Sequence, residues 1–149
     1  MKKTILLSAL CSLLGTSAFA QKPAVPLLLK NTQGGNIVPS GQQDDCAIFE
    51  NGKISETIAG KIIQSGNSFT PTDDIKTVDD IEALIPEAAK GIGESGLSGN
   101  PDTPTSTYTA QLSSTDEVVQ LGKKGAVNET NLSSAAAKLI KLLDQNCNK

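Results

Sequence analysis

The segment Cys46-Ala47-Ile48-Phe49-Glu50-Asn51-Gly52-Lys53-Ile54-Ser55-Glu56-Thr57-Ile58 holds two strand-like runs on either side of an Asn-Gly pair. Asn-Gly in that position predicts a two-residue type I′ hairpin loop, whose central residues both need φ > 0. Such a loop sets the register. It pairs Glu50 with Lys53, Phe49 with Ile54 and Cys46 with Thr57. Ala47, Phe49, Ile54 and Ile58 then share one face, the expected core face, and Glu50 faces Lys53 as an opposite-charge pair on the other.

On the N-terminal side, Pro26-Leu27-Leu28-Leu29-Lys30 reads as a short buried strand. Asn31 to Asp45 reads as loop, because it holds Gly34-Gly35, Pro39 and Gly41. On the C-terminal side, Thr77-Val78-Asp79-Asp80 is a capping-box pattern. Ile81, Leu84, Ile85 and Ala88 follow it at helical spacing. Pro86 is expected to kink or split that helix, and Gly91 to end it. Gly91 to Ser106 is rich in Gly, Pro and Ser and reads as a long loop of about sixteen residues. Thr107 to Leu112 alternates, with Tyr108, Ala110 and Leu112 on one face. Glu117 to Leu121 reads as another strand, Gly122-Lys123-Lys124-Gly125 as a turn, and Ala126-Val127 as extended chain. The last element is a helix with Leu132, Ala136, Leu139, Ile140, Leu143 and Cys147 on one stripe, capped by Thr130 or Asn131.

Cys147 therefore points inward. With Cys46 it is expected to form one disulfide between the hairpin and the last helix. The loop so closed spans 101 positions, worth about 4.7 kcal/mol by chain entropy. A redox-active pair would normally be close in sequence, as in Cys-x-x-Cys, and these two are far apart.

Residues 1–20 read as an export signal. Met1-Lys2-Lys3 is a basic start, Ile5 to Leu14 an apolar run too short to span a bilayer, and Ala18-Phe19-Ala20 a small-residue cleavage site. Cleavage after Ala20 would leave Gln21 first. Cys11 lies inside the apolar run behind Leu10, which does not fit a lipidation site. The expected location is secreted or periplasmic. Of 13 lysines, two belong to this segment, so the remaining chain carries about −5 against its 16 acidic residues.

The chain has no His, no Arg and no Trp. Without His a Ser-His-Asp or Cys-His site is impossible within it, and the common zinc and copper sites lose their main ligand. An acidic surface without Arg or many aromatic rings is a poor nucleic-acid binder and is not drawn to anionic lipid. Gly91-Ile92-Gly93-Glu94-Ser95-Gly96 spells G-x-G-x-x-G. It follows a helix and runs into loop, the reverse of a dinucleotide site. Ser95 within Gly93-Glu94-Ser95-Gly96 has no base. The doublets Asp44-Asp45, Asp73-Asp74 and Asp79-Asp80 lack the spaced ligands of a calcium loop and read as solvated surface.

These readings predict a single α+β domain over 21–149. Its sheet is expected to be mainly antiparallel, of four to six strands, with two helices on one face and one disulfide. The expected function is that of an exported, non-catalytic interaction module that binds or inhibits another exported protein. No cofactor, no metal and no stable membrane association are expected. The alternatives are a structural or envelope-associated protein without a discrete ligand, and a hydrolase using only Asp, Glu and Lys. The candidate binding segment is the Gly91–Ser106 loop, with Ile92 and Leu97 as apolar anchors and Glu94 and Asp102 setting charge preference. A mobile connector is the competing reading of that loop.

Overall fold

A computed structural model of the chain describes residues 25–34, 43–112, 114–115 and 117–147. The expected export signal and its cleavage site lie outside those residues. Eight strands and two helices follow one another as β1 (Pro26–Gln33), β2 (Gln43–Phe49), β3 (Lys53–Ile58), β4 (Lys61–Ser68), α1 (Val78–Ala89), β5 (Gly93–Ser95), β6 (Thr105–Gln111), β7 (Val118–Lys124), β8 (Glu129–Asn131) and α2 (Ser134–Asn146). The α+β class, the antiparallel sheet, the two helices and the Cys46–Cys147 bridge are all present. The sheet, however, has eight strands in the order β4-β3-β2-β1-β6-β7-β8-β5, not four to six.

The extra strands lie at the edges, where burial does not shape the sequence. β4 is exposed at seven of its eight positions, and all three residues of β5 are exposed. Neither therefore carries the apolar alternation that marks a half-buried strand. β5 also divides the expected Gly91–Ser106 loop, and β6 begins at Thr105 rather than Thr107. β1 runs on to Gln33 and β2 starts at Gln43, so three residues at each end of the expected Asn31–Asp45 loop are strand, and 35–42 lie outside the described residues. β7 continues to Lys124, moving the turn from Gly122–Gly125 to Gly125–Asn128, and β8 follows at Glu129 rather than at Ala126-Val127.

The Asn-Gly hairpin differs from expectation by one residue. The Gly52 N–H bonds the Phe49 carbonyl at 2.8 Å, and Gly52 alone takes a positive φ, +72°. The loop is thus a three-residue one, a turn through Glu50 and Asn51 followed by a left-handed Gly. Cys46 pairs with Glu56 and Ile48 with Ile54. One residue of slip moves every β2 side chain to the other face relative to β3. The core face therefore carries Cys46, Ile48, Ile54 and Glu56, while Ala47 and Phe49 line a shallow hollow on the opposite face and Ile58 is partly exposed. The true two-residue loop, with both φ positive, is Ala59-Gly60 between β3 and β4.

One register row crosses the whole sheet: Gln64, Glu56, Cys46, Lys30, Tyr108, Gly122, Thr130 and Glu94, from β4 to β5. The C-terminal half of α2 lies over the centre of this row. Cys147 bridges to Cys46 with Cα atoms 6.0 Å apart. Asp144 reaches Lys30 and Tyr108, and the Asn146 carbonyl accepts from Gln64 at 3.1 Å. The core beneath both helices is made by Leu27, Leu28, Ile48, Ile75, Ile81, Ile85, Leu121, Leu139, Leu142 and Leu143, all almost fully buried. Each such side chain contributes about 1.5–3 kcal/mol.

The helix ends follow local chemistry. Thr77 caps α1 with the expected capping box. The Asp80 carboxylate accepts the Lys76 and Thr77 N–H groups, which hold it below the ordinary carboxylate range. Pro86 neither splits nor ends α1, which runs on to Ala89. It stands on the exposed side, so its missing donor falls where the helix faces water rather than the core. α2 is capped by Ser133, whose hydroxyl accepts the Ala135 N–H, and not by Thr130 or Asn131, which lie in β8. Leu132 thereby falls before the helix and is 60% exposed, contrary to its place on the expected stripe.

Candidate functional site

Two regions bear on a candidate site. The first is the polar centre of the register row. Lys30 is 7% exposed, and its ammonium meets Asp144 at 3.2 Å. Asp144 also takes Lys124 at 2.9 Å and the Tyr108 hydroxyl at 2.8 Å. Both lysines stand over the Tyr108 ring, 5.6 and 5.1 Å from its centre. Burial works to raise the Asp144 pKa, but hydrogen bonds from Lys124, Tyr108 and Lys30 outweigh it and hold the carboxyl low. Burial, and then the neighbouring Asp144, push the Tyr108 hydroxyl well above its usual range.

A cleft of about 260 Å³ opens beside this centre, lined by Lys30, Thr32, Asp44, Glu56 and Ser106 among others. Its polar groups bond one another. Thr32 bonds Ser106 at 2.8 Å, Asp44 accepts the Ala59 N–H at 2.8 Å, and Glu56 accepts from Gln64 at 2.9 Å. No buried side-chain polar atom among the described residues is left without a partner. These three bonds tie strand to strand within the sheet, while Lys30, Tyr108 and Lys124 tie it to Asp144 of α2. Sequence reasoning missed this cluster. Lys30 in an otherwise apolar strand was its one local sign, and its partner lies 114 positions away.

The second region holds the residues expected to bind. The structure brings some of them together. Ile92 and Glu94 lie on one face of β5 and its approach, while Leu97 follows beyond the strand and Asp102 sits apart in the Asn100–Thr103 turn. Ile92 is 75% and Leu97 92% exposed. The segment is held in place. The Gly96 and Gly99 N–H groups bond the Asn128 and Ala126 carbonyls at 2.8 and 3.0 Å, and the Asn128 side chain donates to the Leu97 carbonyl.

Asn131 organises the approach to β5. Its amide donates to the Ala88 carbonyl at the end of α1 and to Gln120 in β7, and its oxygen accepts the Ser133 N–H at the start of α2. Gly91 makes this possible, because any Cβ there would collide with the Asn131 side chain. Between the two helix ends lies a groove of about 430 Å³ lined by Glu87, Lys90, Gly91, Ile92, Leu132, Ser133 and Ser134. The Leu132 N–H bonds the Ile92 carbonyl at 3.0 Å, which makes the two residues cross-strand neighbours on the same face. Sequence reasoning missed Leu132 by placing it inside α2; the Ser133 cap beside it was the available sign. No group of His, Cys, Asp and Glu that could hold a metal ion occurs among the described residues.

No protein-family model, no curated protein and no solved structure gives a match to this chain.

Proposed function

We propose that this chain is an exported, non-catalytic module that binds another exported protein through the end of the molecule formed by β5, the close of α1 and the start of α2. The observation that carries this reading is the pair Ile92 and Leu132, two large apolar side chains 75% and 60% exposed in one groove on a rigidly bonded frame. Grouped exposed apolar side chains on a fixed scaffold mark interaction surfaces. Export rests on the basic start, apolar run and cleavage site of residues 1–20, and the disulfide suits an oxidising compartment. None of the described helices is long and apolar enough to cross a membrane. The non-catalytic part rests on the absence of His and on a polar centre whose groups are engaged with one another.

The test immobilises the chain from Gln21 onward and exposes it to the exported proteins of its source. The reading expects one specific protein to be retained, and to be lost with the double variant Ile92→Ser, Leu132→Ser. Retention of nothing by a folded chain overturns it in favour of an envelope-associated structural role.

A further inference from the structure

We propose that the free edge of β5 captures its partner by strand addition, and that the segment taken up is extended, with an apolar residue for the Ile92–Leu132 groove and a basic residue opposite Glu94. This deepens the binding role proposed above and rests on it.

β5 ends the sheet, with β8 on one side and no other described strand on the other, and its three residues are exposed. The bonds from Leu132 N–H to the Ile92 carbonyl and from Gly96 N–H to the Asn128 carbonyl fix which backbone groups point inward. Residues 92, 94 and 96 address β8, so the N–H and C=O of Gly93 and Ser95 face outward, as alternation along an antiparallel strand requires. They present a short template for another backbone. Side chains divide in the same alternation. Ile92 and Glu94 share a face with Thr130 and Leu132, and the register row places that face on the helix side of the sheet. The added segment therefore meets the apolar groove and the Glu94 carboxylate on one side.

Charge selects the occupant. Glu87 and Lys90 neutralise each other at 2.7 Å, while Glu94 makes no ion pair among the described residues. If a second copy paired through its own β5 about the strand centre, Glu94 would stand opposite Glu94, and like charges directly opposed destabilise a strand pair. A foreign segment with Lys or Arg at that position meets the carboxylate instead. The net negative charge of the chain draws such a segment in.

The probe is the synthetic peptide acetyl-Thr-Val-Thr-Lys-Thr-Val-Thr-amide, whose Val, Lys and Val share one face, titrated against the chain from Gln21 onward. Its counterparts replace the Lys by Glu, or N-methylate alternate backbone nitrogens. Binding is read by anisotropy, and its location by amide hydrogen exchange. The proposal expects the Lys peptide to bind at least about tenfold tighter than the Glu peptide and to slow exchange at Gly93 and Ser95. Glu94→Lys should reverse the preference. Ser95→Pro removes an outward N–H while sparing the bonds to β8, and should abolish binding. N-methylation of the peptide should do the same without any change to the protein. Equal binding of both peptides, protection confined to another region, or self-association through β5 overturns strand addition. A partner retained by the intact chain alongside any of these results leaves the binding role standing and removes only this mode.

Discussion

Lys30 and Asp144 lie 114 positions apart in the chain and meet at 3.2 Å, the lysine side chain 8% exposed and the aspartate 36%. Through this contact one carboxylate on α2 is tied to β1, to β6 through Tyr108 and to β7 through Lys124. Asp144→Ala should leave a buried ammonium without its counter-charge. The cost of breaking a buried pair, discounted for the exposed side of Asp144, is about 2–3 kcal/mol. Lys30→Met should cost less, because Asp144 keeps Lys124 and Tyr108 and the methionine fills the apolar path. Denaturant melts of the two variants check the order. Equal losses would show that the ammonium is adequately solvated without Asp144.

The same carboxylate predicts an acid limb in stability. Its folded pKa lies below its unfolded value, so its contribution is present above an unfolded pKa of about 3.9 and is lost as pH falls through the lowered one. Asp144→Asn should reduce the slope of stability against pH in that acid range and leave the slope near neutrality unchanged. Melts across both ranges measure this. An unaltered acid slope would assign it to other carboxylates, such as Glu129, held low by Lys123 and Gln120.

The Cys46–Cys147 bridge sits beside this cluster on the same register row. Joined as a disulfide and nearly fully buried, the two cysteines should offer no thiol to a reagent until the bridge is reduced. Cys46→Ser should cost about 2–5 kcal/mol. A change much smaller than this in the urea midpoint would mean that Asp144 and Asn146 already fix the end of α2 without the bridge.

How much of this was legible in the sequence follows from burial. α1 and α2 were readable because their apolar stripes face a core, and Tyr108 and Ala110 were placed on the correct face for the same reason. β4 and β5 were not, because edge strands with exposed side chains obey no period. The hairpin failed on a subtler point. Asn-Gly fits both a two-residue loop and a three-residue loop ending in Gly, and only the disulfide could have decided between them. A bridge to an inward-facing Cys147 requires Cys46 on the core face, which the three-residue loop alone provides. Ile92 and Leu97 stand out in the sequence as candidate anchors because an apolar residue in a Gly-rich segment is conspicuous, and both are exposed. Leu132 was hidden by a helical stripe that it extends in spacing but not in structure.

Gly125 should tolerate no side chain. Its φ is +133°, and a Cβ would run into the Pro104 carbonyl and lie 2.8 Å from the Thr105 Cα. Both the backbone conformation and the close approach oppose Gly125→Ala, which should cost about 2–4 kcal/mol. Because Gly125 adjoins the Asn128 and Ala126 carbonyls that accept from Gly96 and Gly99, and the Asn128 amide that donates to Leu97, the variant should also speed hydrogen exchange at Gly96 and Gly99. Loss of stability with unchanged exchange there would confine the strain to the start of β6.

Replacing Gly93 to Asn100 by a short Gly/Ser linker tests whether this stretch is connector or structure. A free connector could be exchanged at little cost, since loop length enters stability only logarithmically. The structure gives the opposite expectation. The replacement removes β5 and its pairing with β8, the bonds from Gly96 and Gly99 to the β7–β8 turn, and the Asn128 contact to Leu97. These bonds are solvent-exposed, so each contributes only about 0.5–1.5 kcal/mol, and little apolar burial is lost with them. The expected loss is therefore about 2–4 kcal/mol, with the core beneath α1 and α2 intact and exchange accelerated in β8. A urea melt and an exchange map of the replaced chain decide it. Unchanged stability with unchanged protection of Glu129 to Asn131 would show that β8 needs no neighbour besides β7, and that β5 adds nothing to the fold.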